Sequence, residues 1–215
     1  MSDAPYILVF DTSAAHCAAA LFRGTDCLAE QVKPMARGQA ERLMPLLEEV
    51  LKRGGIAWRD LDALAVLTGP GNFTGIRISV AAARGLSMGL GIPSVGVTLF
   101  DALRYGMPEG GVVVLTARGD DLAWQMERGQ DPQIGTPADF AEAARGVAHV
   151  RGHDAEPLAR SVGAPSWDAT VQPPLAAVAA AALRTLGPDV PPAAPFYLRP
   201  ADAAVPSDPP PRILP

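Results

Sequence analysis

The run Tyr6-Ile7-Leu8-Val9-Phe10 is apolar at every position and ends in the polar triplet Asp11-Thr12-Ser13. A strand without polar alternation has both faces covered, so a chain that opens this way needs a central strand with helices above and below its sheet. The triplet marks the turn that such a strand delivers to one end of the sheet. Residues 16–22 and 26–32 read as two further strands joined by Arg23-Gly24-Thr25, which makes the start a three-stranded meander. From residue 40 to 53 the apolar residues Leu43, Leu46, Leu47, Val50 and Leu51 recur at helical spacing until Gly54-Gly55 stops them, with Pro45 placed near the first turn, where it is tolerated. Residues 61–67 form the next strand, Gly69-Pro70-Gly71-Asn72 a turn, and residues 73–90 a helix rich in small residues, among them Ala81, Ala82, Ala83 and Gly85. A strand over 92–97 and a short helix over 99–105 complete this first unit.

Beyond Gly106 the pattern weakens. Strands are expected at 112–116 and 122–127 around an Arg118-Gly119-Asp120 turn, a strand at 147–150, and helices at 137–144 and 175–186. The prolines cluster from Pro173 onward and leave 187–215 extended. The expected division is therefore a first lobe over 1–106, a smaller divergent second lobe over 107–190 and a Pro-rich extended tail over 191–215. Strands followed by alternating helices and strands give an α/β class with mixed sheets.

At 215 residues with 48% hydrophobic and 19% charged residues, the chain has the material for one ample core or two small lobes. A net charge of −5 argues against a chain that grips an RNA backbone unaided, because phosphate contacts need clustered cations. Any nucleic acid would be held mainly by a partner. No uninterrupted apolar stretch reaches membrane-spanning length, and residues 1–5 lack the basic and apolar regions of a signal peptide, so a soluble, cytoplasmic protein is expected. Cys17 and Cys27 fit neither a metal knuckle nor a redox pair and are expected as buried small hydrophobes on neighbouring strands.

Three blocks resemble one known family. Phe10-Asp11-Thr12-Ser13, the long block from Leu67-Thr68-Gly69-Pro70-Gly71-Asn72 through Phe73-Thr74-Gly75-Ile76-Arg77-Ile78, and Pro195-Phe196-Tyr197-Leu198-Arg199 are similar to the TsaB (YeaZ) family. The resemblance implies an actin-like (ASKHA), duplicated ribonuclease H-like fold of two lobes with mixed sheets. It also implies a non-catalytic scaffold subunit for threonylcarbamoylation of the adenosine beside the tRNA anticodon (position 37, t6A). The implied partners are a TsaD-like catalytic paralogue and a TsaE-like ATPase, with a homodimer when the chain is alone, tRNA met only through the complex, and no membrane. No cofactor is required of this chain, with ATP or ADP and Mg left open at the subunit interface.

Within that frame, Asp11, Thr12 and Ser13 could hold Mg and phosphate, or could simply cap their own turn. Gly69, Gly71 and Asn72 could cradle an anion at a helix start, or could serve the geometry of a tight strand-to-helix turn. The loop matches neither a dinucleotide fingerprint nor a P-loop. These six residues carry the alternative reading, a small actin-like ATPase or small-molecule kinase. TsaD-like paralogues place two metal-binding histidines four residues apart just after a strand of the form found here at Ile92-Pro93-Ser94-Val95-Gly96-Val97, and this chain has Leu99 and Leu103 at those positions, so no metal centre is expected. His149 and His153 repeat the spacing across a strand end and a glycine loop, without an evident third ligand. His16 is expected to be satisfied inside the first lobe. The adjacent pairs Glu48-Glu49 and Asp120-Asp121 are expected to be solvated. The stripe of Leu43, Leu46, Leu47 and Val50 is wider than one core face requires. With Ile78 and Ala82 it is the candidate partner surface, against the plainer reading that both helices cover their own sheet. Two positions depart from the family pattern, Thr116-Ala117-Arg118 and Gln39-Ala40-Glu41, and both weaken a claim of retained nucleotide or metal binding.

Overall fold

In the computed structural model, residues 4–152, 155–166, 175–187 and 189–198 are described. Strand β1 (Tyr6–Asp11) pairs antiparallel with β2 (His16–Arg23), which pairs antiparallel with β3 (Asp26–Pro34). On its other side β1 pairs parallel with β4 (Ala63–Gly69), and β4 pairs parallel with β5 (Ser94–Thr98), giving the order β3-β2-β1-β4-β5. Successive side chains of β1 point to opposite faces. Leu8 and Phe10 enter a cluster with Cys17, Leu21, Leu64, Val66 and helices α1 (Gln39–Gly54) and α2 (Phe73–Leu90), while Ile7 and Val9 enter another with Ala18, Ala20, Ala65 and Leu67. Both faces of the central strands are thus covered, as the opening apolar run requires.

The second face is covered by a helix from the far end of the chain. After the short helix α3 (Leu99–Leu103), a second sheet forms from β6 (Gly111–Thr116), β7 (Leu122–Gln125), β8 (Gln133–Gly135) and β9 (His149–Gly152), in the order β8-β7-β6-β9. Helices α4 (Pro137–Ala143) and α5 (Ala155–Ser161) cover one side of it, through Phe140, Ala144, Ala155 and Ala159 against Val112, Val114 and Trp124. Its other side meets α3 through Phe100 and Leu103. Helix α6 (Leu175–Thr185) then returns to the first sheet, where Leu175, Val178 and Ala182 lie on Val9, Ala65 and Val97. The expected second-lobe span of 107–190 is corrected accordingly: its last helix belongs to the core of the first lobe, because the open face of β1, β4 and β5 would otherwise expose alanine, valine and isoleucine to water.

Other elements shift slightly. Pro45 is the seventh residue of α1, not part of its first turn, and lies on the exposed side, where the amide missing opposite the Glu41 carbonyl is replaced by solvent. Cys17 is buried on β2 as expected, but Cys27 is exposed on the edge strand β3. Strand β8 and helix α5 are too short to show a period in the sequence.

Candidate functional site

The parallel strands β1 and β4 deliver their polar turns side by side at one end of the first sheet. Asp11 is only 4% exposed, and both its carboxylate oxygens are engaged inside the chain: Oδ1 accepts from the Ser13 amide at 2.7 Å and Oδ2 lies 2.7 Å from Nε2 of His16. His16 is therefore satisfied within the lobe, as expected. The Thr12 hydroxyl donates to the Gly75 carbonyl at 2.6 Å, and the Ser13 carbonyl accepts from the Asn72 amide at 2.7 Å. Asn72 caps α2 by accepting from the Gly75 amide at 2.8 Å.

This packing explains the glycines. A β-carbon on Gly75 would sit 1.9 Å from the Thr12 carbonyl oxygen, and one on Gly71 would sit 2.7 Å from that of Ser13. Gly69 has φ of +116°, and a β-carbon there would lie 2.6 Å from the Phe196 carbonyl oxygen. The two turns are interlocked backbone to backbone. The Asp11 carboxylate and the Thr12 hydroxyl already hold bonds inside the chain and the glycines lie against protein backbone, so a magnesium nucleotide would have to compete with these contacts. The contacts described for Asp11, Thr12, Ser13, Gly69, Gly71 and Asn72 are all made within the chain, as a turn-building role requires. No group of three metal-ligating side chains occurs among the described residues. His149 bonds to the Pro108 carbonyl, and His153 lies outside the described residues.

Between the lobes lies a cleft of about 610 Å³, walled by Pro70, Phe73, Ile76 and Leu99 of the first lobe, Leu115 and Ala117 of the second, and the returning chain at Phe196 and Leu198. Its walls are mostly apolar, with Thr116, Arg118 and Tyr197 as the polar side chains on its lining. A smaller hollow of about 320 Å³ separates the start of α1 from that of α2, between Arg37 and Thr74.

The predicted partner surface needs correction. Leu43, Leu46, Leu47 and Val50 are buried in the core of their own lobe, because α1 lies across β2 and β3 and uses the full width of its stripe there. Apolar side chains already packed on a sheet cannot meet a partner. Ile78 and Ala82 are half-buried at the margin of the same cluster. The outward side of α2 carries Thr74, Ile78, Ala81, Gly85 and Met88, one stripe at helical spacing, with Met88 86% exposed. Arg77 and Arg84 flank it, and α2 contains no acidic residue. Sequence reading noted the small residues of α2 but not that its outer side, rather than the leucines of α1, is left uncovered.

Sequence reasoning also missed the surface stack at the start of α2. The Arg77 guanidinium lies 3.7 Å from the Phe73 ring centroid and donates from Nε to the Tyr197 hydroxyl at 3.0 Å, and the Phe73 and Tyr197 rings lie 5.2 Å apart. Contacts spanning 120 residues leave no local signal. Among the described residues, no helix is long and apolar enough to cross a membrane.

Residues 31–158, more than half of the chain, match the family model described as TsaD, tRNA N6-adenosine threonylcarbamoyltransferase. The tRNA threonylcarbamoyladenosine biosynthesis protein TsaB of Escherichia coli (strain K12) is 35% identical over 101 residues, covering 46% of this chain and 43% of that protein. The protein of the same name from Buchnera aphidicola subsp. Schizaphis graminum is 37% identical over 105 residues, 48% of each. The first curated relatives are matched over only 39% to 57% of their own length. A Pseudomonas aeruginosa crystal structure, described as an uncharacterized protein with similarity to peptidase YeaZ, superimposes with a TM-score of 0.70 at 25% identity, covering 91% of this chain and all of that one. Its likeness covers 91% of this chain and so takes in both lobes. The chain belongs to this threonylcarbamoyltransferase family, on its TsaB (YeaZ) side.

Proposed function

We propose that the chain is a non-catalytic partner subunit in the formation of threonylcarbamoyladenosine beside the tRNA anticodon, docking on a TsaD-type catalytic paralogue through the outer side of α2. The observation that carries the docking is the exposed stripe of Ala81, Gly85 and Met88, with half-buried Ile78 at its margin. Its small residues permit close approach of a second helix, and its exposed methionine adapts to an apolar partner. Arg77 and Arg84 at the margins suit an acidic rim on that partner. Family membership and the biosynthetic role named for the E. coli relative support the pathway.

A non-catalytic role is supported by the internal use of the Asp11 carboxylate and the Thr12 hydroxyl. On this reading the chain works in the cytoplasm. tRNA is held mainly by the paralogue, since the chain carries a net charge of −5. A TsaE-type ATPase joins the assembly, any ATP or ADP with Mg belongs at the subunit interface rather than in the cleft, and in the paralogue's absence two copies pair through the same stripe.

The test is size-exclusion chromatography with light scattering on this chain, on the TsaD-type paralogue of the same genome and on their mixture, repeated with Ala81→Glu. A mixed complex that disappears in a variant with unchanged melting temperature is the expected result. Absence of any mixed complex, together with magnesium-dependent ATP turnover by the isolated chain that Asp11→Ala abolishes, would replace the proposal with the ATPase or kinase reading.

A further inference from the structure

Residues 191–198 cross the first lobe as an extended strap. The Ala193 amide donates to the Ser94 carbonyl at 3.0 Å and the Phe196 amide to the Thr68 carbonyl at 2.8 Å, so the strap is fastened to the ends of β5 and β4. Neighbouring side chains of an extended segment point to opposite sides. Phe196 and Leu198 join the cluster between the lobes, with Phe100, Val113 and Leu115, and the Phe196 ring meets Phe100 edge to face at 6.4 Å. Tyr197 between them turns the other way, onto Phe73 and Arg77 in the first turn of α2. One short segment therefore touches the second lobe with two residues and the start of α2 with the residue in between.

The loop that launches α2 is held from two sides. Ser13 closes on Gly71 from the β1 turn, and the strap closes on Gly69, where the Phe196 carbonyl leaves no room for a β-carbon. The bonds of Thr12 and Asn72 to Gly75 pin the inner side of the first turn, and the stack of Tyr197, Phe73 and Arg77 holds its outer side. Phe73 and Tyr197 are 47% and 37% exposed, so this stack adds little to the hydrophobic core. What it does is tie the outward side chains at Phe73 and Arg77 to the strap whose Phe196 and Leu198 pack between the lobes.

We infer that Tyr197 is a positioning residue for the docking side of α2: through Arg77 and Phe73 it holds the first turn in the pose that a partner subunit accepts. The inference rests on the proposed docking role of α2. Loss of the ring leaves Arg77 on Phe73 alone and lets these two outward side chains sample other poses, so the binding-competent population falls and the apparent affinity falls with it. The core is unaffected, since the strap keeps its backbone bonds to Thr68 and Ser94 and its anchors Phe196 and Leu198.

The experiment measures binding of the TsaD-type paralogue by calorimetry for the wild type, Tyr197→Ala and Tyr197→Phe, with amide hydrogen exchange of residues 73–78 read in the free and bound chain. Expected are a roughly tenfold weaker Kd for Tyr197→Ala, partial recovery in Tyr197→Phe, which keeps the ring and loses the hydroxyl, and an unchanged melting temperature. Exchange over 73–78 should quicken in free Tyr197→Ala and return to the wild-type rate in the complex. Wild-type affinity in Tyr197→Ala, or quickened exchange spread over β4 and β5, would overturn the positioning role. Failure of the wild type itself to bind would instead remove the docking proposal on which it stands.

Discussion

Replacing Leu46 by alanine separates two accounts of α1. Leu46 is 0% exposed, in the cluster formed by Leu8, Phe10, Leu21 and Val66 with Leu43, Leu47 and Val50 of the helix. Truncation removes apolar groups worth about 0.8 kcal/mol per methylene in transfer and leaves a void that a rigid sheet cannot fill. The sum lies in the range of about 2–5 kcal/mol measured for such changes. In a chain of this size each kcal/mol lowers Tm by about 2–4 °C, so a loss of about 3 kcal/mol predicts a fall of roughly 6–12 °C. Thermal and urea unfolding of the isolated chain measure this directly, and the folded variant should still bind its partner. If Tm moved by less than about 2 °C while partner binding disappeared, Leu46 would be a docking residue, and the packing of α1 across β2 and β3 would be wrong.

Further outcomes follow from the same contacts. Gly75→Ala should cost about 2 kcal/mol or more in urea unfolding, since its β-carbon would meet the Thr12 carbonyl and displace the Thr12 hydroxyl from the helix; a neutral effect would disprove the interlock. Asn72→Ala removes the side-chain cap of α2 and should cost about 1 kcal/mol by the same assay, without the larger penalty of the glycine change. At neutral pH a thiol reagent should modify Cys27 and spare Cys17, whose thiol burial pushes up to about 11; burial and Glu30 also raise Cys27, so its rate should climb as pH approaches 9, and modification of both thiols in the folded chain would count against the core. The Arg42 guanidinium, with Gln31, holds the Glu49 carboxyl below its ordinary 4.5, so this interaction favours folding above that pH and fades as acid protonates Glu49; Arg42→Ala should move its titration back up in a carboxyl NMR experiment, and no movement would contradict the pair.

Much of the first lobe was legible because its signals are local. The unbroken run 6–10 demanded a doubly covered strand, and the glycines before α2 marked a turn that their contacts with Ser13 and Thr12 now explain. The return of α6 was not legible: an alanine-rich amphipathic segment states that it has a buried side, not which sheet receives it. The leucines of α1 misled for the same reason. A wide apolar stripe measures how much surface is covered, and it is silent on whether the cover is the chain's own β2 and β3 or another subunit.

The outer side of α2 follows from that distinction. A helix over a sheet edge can spend its widest stripe inward only if strands on both sides of its axis rise to meet it, which is the situation of α1 against β2 and β3. Helix α2 lies over β4 with its inner side formed by Gly75, Ile76, Ser79, Val80 and Ala83. Ile78, Ala82, Leu86 and Leu90 are half-buried at the margins of that cluster, and Ala81 and Met88 face outward. Small residues there are not required by any contact within the chain: a β-carbon added at Gly85 or Gly89 meets nothing within 4 Å. Gly85 in the interior of α2 costs about 1 kcal/mol against alanine and Gly89, next to the last residue of the helix, costs less, and the fold of this chain alone gives no return for that cost. Gly85→Ala should therefore stabilise the isolated chain by about 1 kcal/mol in urea unfolding and Gly89→Ala by less, while both weaken any complex in which another helix lies close along this side. A variant that is more stable and binds its partner unchanged would show that the glycines serve neither purpose, and would move the docking surface off α2.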